Sequence, residues 1–147
     1  MAKLKTVRIE ANADERFKVA VTAGDRTFYV DQQIKVGGTD AGASPIDHLF
    51  ASLAGCIATT ARIMATQKQI TLNGMDIKVE GSLDTHVIYG KSTEGRPGVT
   101  GIQVSVGLDS SMSEIEQREF LEELRSRCPV WDTISAATPI TLTTHSV

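Results

Sequence analysis

The segment Ser44–Thr66, SPIDHLFASLAGCIATTARIMAT, restricts the fold more than any other part of this chain. Between Asp47 and Arg62 its only basic side chain is His48. Apolar residues recur at Ile46, Leu49, Phe50, Leu53, Ile57, Ala61 and Met64, a helical spacing rather than the alternation of a strand. Ser44, Pro45 and Asp47 read as N-cap, first helical residue and the acid of a capping box. A helix apolar on nearly every side has to be buried. The uncharged run falls short of the ~18 residues of a membrane span, and Ser52, Thr59 and Thr60 interrupt it. A core helix is expected, with Cys56 at its middle and Cys128 as the only other cysteine.

The 147 residues fit one domain, 1–147. A hydrophobic content of 41% against 22% charged residues is that of a globular chain. A net charge of -3 without any Lys/Arg-rich run argues against nucleic acid and against an anionic membrane as partners. The N-terminus has two early lysines but no apolar signal core, so a cytoplasmic location is expected. There, two cysteines are free thiols or a redox pair rather than a structural disulfide. No Cys-x-x-Cys or His-x-x-x-His spacing signals a metal site.

Residues 6 to 30 read as two or three short strands. Val7 and Ile9 alternate, Asn12 to Glu15 gives a turn, and Phe17, Val19 and Val21 alternate again. Ala23 to Asp25 turns the chain into Thr27–Val30, and the glycine-rich stretch Gln32–Ala43 is a loop leading to Ser44. After the helix, Asn73-Gly74 is a turn signal, and Met75, Ile77 and Val79 alternate with polar residues. Asp84–Tyr89 continues this strand or bends away, and Gly90–Gly98 is a polar loop. Ile102, Val104, Val106 and Leu108 form a second alternating run able to pair with the first as a long hairpin. Ser113 and Glu116 are a capping box opening a helix over Glu114–Arg127. Pro129 stops that helix and starts a short one, Pro129–Ala136, capped by Cys128. Pro139–Thr144 reads as a closing strand. The layout is α+β, an antiparallel sheet wrapped on the central helix. So apolar a helix in so small a chain is most simply buried against its copy in a symmetric dimer.

The cysteines are the candidates for chemistry. A free cysteine commonly packs as a small hydrophobe. A mid-helix thiol gains little from the helix dipole, so a reactive Cys56 needs a cation to favour its thiolate. Arg62 is the only one near it in sequence. Cys128 sits beside Arg127 at a helix start, where amide groups and the arginine favour thiolate; a buried corner cysteine is the equal alternative. Asp47 reads first as a capping acid, and at 100° per residue it faces away from Cys56. His48, His86, His145 and Trp131 read as packing or surface residues.

SPIDHLFASLAGC resembles the Pro-x-Glu-Leu-Leu-x-Ala-x-x-Gly/Ala-x-Cys pattern of the OsmC-like family, which includes osmotically inducible protein C and the organic hydroperoxide resistance proteins. CPVW at Cys128 is similar to the family's second motif, a Cys-Pro after an amphipathic helix. The 72-residue interval between the cysteines also matches, so the resemblance covers nearly the whole chain. It implies an intertwined homodimer with two antiparallel sheets around two central helices. It further implies a thiol peroxidase active in oxidative stress defence, using neither metal nor other cofactor. Cys56 would attack an organic hydroperoxide and become a sulfenic acid; Cys128 would condense with it to a disulfide, which an external dithiol reduces. The activating arginine comes from the N-terminal strands, with Arg16 the nearest match and Arg26 its rival. Ile46 stands where hydroperoxide resistance proteins carry a glutamate, and Asp47, one place later, matches the acid of another branch. The isoleucine motivates a second reading, a non-catalytic dimer binding a small hydrophobic ligand.

Overall fold

The computed structural model describes residues 1–144. They fall into two compact units, Met1–Leu49 and the chain from Phe50 onward, and the division lies inside the long helix.

In the N-terminal unit, β1 (Glu10–Ala13), β2 (Val19–Ala23) and β3 (Arg26–Val30) form an antiparallel meander in the order β1-β2-β3. Ala23 pairs with Arg26 across a two-residue Gly24-Asp25 turn. Gly24 has φ 61 there, and a glycine at the first turn position is what a tight hairpin of right-twisted strands requires. The first strand lies later than the alternation of Val7 and Ile9 suggests. Those two side chains are exposed and outside any ladder, whereas Asn12 and Ala13, read as turn, pair with Ala20 and Val19. The same β2 residues, Val19–Thr22, pair with β3 on one side and with residues 10–13 on the other.

The loop after β3 is built around Asp31, one of the few buried polar residues. Its carboxylate accepts hydrogen bonds from the Gln32 amide at 2.7 Å, the Thr39 amide at 3.0 Å, the Thr39 hydroxyl at 2.6 Å and the Ala41 amide at 3.1 Å. The Thr39 hydroxyl leads in holding its pKa down at about 2, with the amides adding to it against the opposing cost of burial. The loop folds back so tightly that a Cβ on Gly38 would lie 1.8 Å from the Gln32 carbonyl oxygen, so only glycine fits. A single 3-10 turn, Ile34–Val36, lies within this loop. The Asp31 amide then donates to the Ala43 carbonyl at 3.2 Å, which brings the chain back to β3 just before the helix.

Helix α1 runs Pro45–Lys68. It starts as the sequence implies: the Ser44 amide and hydroxyl donate to Asp47 Oδ2 at 3.0 and 2.6 Å, and the Asp47 amide returns a bond to Ser44 Oγ at 3.3 Å. It ends on Gln69, whose φ of 57 is left-handed; the Ile70 amide reaches back to the Ala65 carbonyl at 2.9 Å. By length and composition alone its 24 residues could cross a membrane. Beyond Phe50, however, it packs one face inside the unit. Leu53, Ile57, Ala61, Met64 and Ala65 are buried with Leu72, Phe120, Leu124 and Cys128. The opposite face is not buried: Ser52, Gly55, Thr59, Ile63 and Thr66 are exposed, so the expected burial on every side is not met within one protomer.

The floor of this core is a hairpin of β4 (Leu72–Gly81) and β5 (Ile102–Ser110), paired antiparallel with Ile77 opposite Val106 and Val79 opposite Val104. Their inward side chains, every second residue, pack against the α1 cluster, as the alternation predicts. Asn73-Gly74 is not a turn. It lies in β4 at a register shift between Leu72 and Gly74, a bulge that consumes the extra residue. Arg62 donates to the Leu72 carbonyl and, at 3.3 Å, to that of Asn73. Between the strands, residues 85–88 form a single helical turn, α2 (Thr85–Ile88), because Asp84 caps it by accepting from the His86 amide at 2.8 Å.

Helix α3 (Glu114–Arg127) has the Ser113–Glu116 capping box, and α4 (Pro129–Ser135) follows with Cys128 between them. Glu123 pairs with Arg127 at 3.1 Å and with Lys68 of α1 at 2.7 Å. Pro139–Thr144, expected as a strand, has no strand partner among the described residues, and Ile140 and Leu142 are exposed. Alternation without a ladder does not make a strand. His145 lies outside the described residues. The expected α+β antiparallel architecture is present, among the described residues, as a three-stranded and a two-stranded sheet.

Candidate functional site

Cys56 lies at the border between the packed and exposed faces of α1 and is half-buried. Of its polar helical neighbours, Thr60 is buried, and Thr59 turns its hydroxyl back to the Gly55 carbonyl at 2.9 Å. Cys128 is placed by a different device. The residue before a proline avoids the helical region, and Cys128 takes φ -87 and ψ 108, turning the chain sharply from α3 into α4. The corner points inward, and only 1% of Cys128 is exposed.

The fold brings the two thiols into one neighbourhood: Cys56 packs against the buried cluster that contains Cys128 and acts on its thiol, although 72 residues separate them. Both are reduced. Burial pushes the Cys128 pKa up, and the Cys56 thiol adds to this. The Trp131 and Val130 amides at the start of α4 pull the other way without reversing it. The sequence-level expectation that Arg127 helps Cys128 ionise is not met. Its guanidinium is taken up by Glu123 and, at 2.7 Å, by Gln67 Oε1. Arg62, the cation nearest Cys56 in sequence, is likewise committed to the β4 bulge. The pair is thus a half-buried thiol beside a buried one that holds its proton.

The other sequence candidates belong to the N-terminal unit. Asp47 is engaged with Ser44, whose hydroxyl is the largest cause of its lowered pKa, so its visible work is capping. Arg16 follows β1 and is held through its amide, which donates to Asp14 Oδ1 at 2.8 Å. Arg26 opens β3. Both are exposed, and neither guanidinium makes a hydrogen bond or ion pair among the described residues. His48, read as a packing residue, lies 5.3 Å from the Phe28 ring with Nε2 3.3 Å from the Tyr29 carbonyl, which ties the first turn of α1 to β3. Asp31 went unnoticed in the sequence; its signal is a short acceptor at the head of a glycine-rich loop with a threonine eight residues on. Among the described residues no group of three or more His, Cys, Asp and Glu side chains could hold a metal ion.

Residues 37–143 match the family described as OsmC-like protein. A hydroperoxide reductase of Mycoplasma pneumoniae is 30% identical over 121 residues, 82% of each chain. One from Mycoplasma genitalium is 27% identical over 115 residues, 78% of each. The crystal structure of an OsmC-like protein from Mycoplasma pneumoniae superimposes with a TM-score of 0.78 at 29% identity, covering 90% of this chain and 89% of that one. With the family match spanning both cysteines and most of the chain, this protein belongs to the OsmC-like family.

Proposed function

We propose that this protein detoxifies peroxides, as a thiol peroxidase that reduces organic hydroperoxides with Cys56 as the attacking and Cys128 as the resolving cysteine. The observation that carries this reading is the packing of a half-buried Cys56 against the buried cluster that contains Cys128. The names of the two Mycoplasma hydroperoxide reductases support the substrate class. The Cys56 thiolate attacks the distal oxygen of ROOH, the O–O bond breaks, and RO⁻ leaves and takes up a proton as ROH. The resulting Cys56 sulfenic acid meets the Cys128 thiol beside it; an S–S bond forms and water leaves. The raised pKa of Cys128 suits that role, since a protonated, buried thiol does not compete for peroxide. An external dithiol then reduces the disulfide by exchange. A cation has to favour the Cys56 thiolate; with Arg62 and Arg127 committed elsewhere, the unpaired Arg16 and Arg26 are the candidates. Asp47 supports the site by fixing the start of the helix that carries Cys56. The working form is a cytoplasmic homodimer, joined through the exposed face of α1.

Mass spectrometry after treatment with cumene hydroperoxide tests this. The wild type is expected to form a Cys56–Cys128 disulfide. A Cys128→Ser variant should instead accumulate a Cys56 sulfenic acid that dimedone traps. If Cys56 stays reduced in folded protein, the peroxidase reading is wrong, and the non-catalytic hydrophobic-ligand reading suggested by Ile46 replaces it.

A further inference from the structure

Within the C-terminal unit, a groove of about 380 Å³ opens beside α3, a size within the range of small-molecule sites. Its floor is apolar, formed by Ile57 of α1, Val104 and Val106 of β5 and Leu121 of α3, with Trp131 of α4 alongside. Neither cysteine lines it. Its charged wall comes from α3, where Arg118, Glu122 and Arg125 follow one another at helical spacing on one face. Arg125 is paired with Glu122. Arg118 makes no hydrogen bond or ion pair among the described residues. Two guanidinium groups against one carboxylate leave the wall with an excess positive charge, and the free cation stands over a hydrophobic floor.

We propose that this groove binds an amphipathic carboxylate, a medium-chain fatty acid or a compound of that shape. The chain lies along Ile57, Val104 and Val106, and the carboxylate meets Arg118. Burying the chain supplies the affinity, while a guanidinium–carboxylate pair supplies the preference for an anionic head. Such a ligand would rest against Trp131, three residues beyond Cys128, without occupying the space of either thiol.

Trp131 is the only tryptophan of the chain, so its emission reports on the groove without a label. The full-length reduced protein is titrated with decanoate and with decanol, each below its aggregation limit. Decanoate is expected to shift the emission saturably and to bind roughly tenfold more tightly than decanol. Arg118→Gln should remove that preference and leave decanol binding unchanged, while Arg118→Lys, which keeps the charge, should retain most of it. Arg118 is exposed, so circular dichroism should show both variants folded. The proposal is overturned if decanoate gives no saturable shift, as when a second copy of the chain fills the groove. Equal affinity for the two probes, or an Arg118→Gln variant that keeps its preference for decanoate, also overturns it.

Discussion

At the scale of single residues, the two cysteines differ in ways their sequence neighbours do not convey. Cys128 follows an arginine and opens a helix, which favours an ionised thiol, yet Arg127 is engaged by Glu123 and Gln67, and burial outweighs the amides at the start of α4. Its pKa is raised above the ordinary value, so the folded state holds this proton more tightly than the unfolded chain does. That contribution to stability is complete below the unfolded thiol pKa of about 8.5 and is lost as pH rises through the higher folded value. Urea unfolding of the reduced protein between pH 7 and pH 10 should show the consequence. The wild-type midpoint is expected to fall with pH more steeply than that of Cys128→Ala, which should be about 1 kcal/mol less stable at neutral pH. Parallel curves would mean that Cys128 ionises as freely in the fold as outside it. Cys56 was legible as a candidate from its motif; the direction of the Cys128 shift was not, because burial is set by residues such as Leu53 and Ile57 that are remote in the chain.

At the scale of elements, local chemistry was read well where it is self-contained. Both capping boxes and the Gly24-Asp25 turn follow from nearby residues, because each is closed within a short span; β4 and β5 show their alternation locally, although residues 82–101 separate them. The misread elements depend on a partner. Val7–Ile9 and Pro139–Thr144 alternate without a ladder, and Asn73-Gly74 lies at a bulge where Arg62 meets the Leu72 and Asn73 carbonyls. The end of α1 shows a conflict between residue and conformation. Gln69 holds a left-handed backbone that glycine adopts without steric cost. Gln69→Gly is therefore expected to stabilise the protein by about 0.5–1 kcal/mol. An increase in urea midpoint with unchanged slope would bear this out, and a decrease would show that the Gln69 side chain contributes more than the strain it carries.

At the scale of the whole molecule, the question is what covers α1. One face is packed, but Ser52, Gly55, Thr59, Ile63 and Thr66 leave a second face of small and apolar side chains in contact with solvent. Ile63 alone remains 49% exposed in the middle of the longest helix. The homodimer proposed above buries that face. Light scattering coupled to size exclusion should give twice the mass of one chain for the wild type. Ile63→Glu should shift the protein toward the monomer, because a charge would have to be desolvated in the interface. A monomeric wild type, or a variant that dimerises equally well, would place the interface elsewhere.

The central helix with its cap, the two alternating strands beneath it, the capped amphipathic helix and the Cys-Pro corner are all written in short stretches of sequence, since periodicity, capping and proline sterics act over a few residues. Those stretches also carry the motifs of the OsmC-like family. Packing of distant segments, by contrast, is what brings Cys56 to the cluster around Cys128, makes Cys128 the buried member, and occupies Arg62 and Arg127 elsewhere. Those facts depend on which surfaces pack together across 72 residues of chain, and contact and desolvation arise only when distant segments exclude water from the same place.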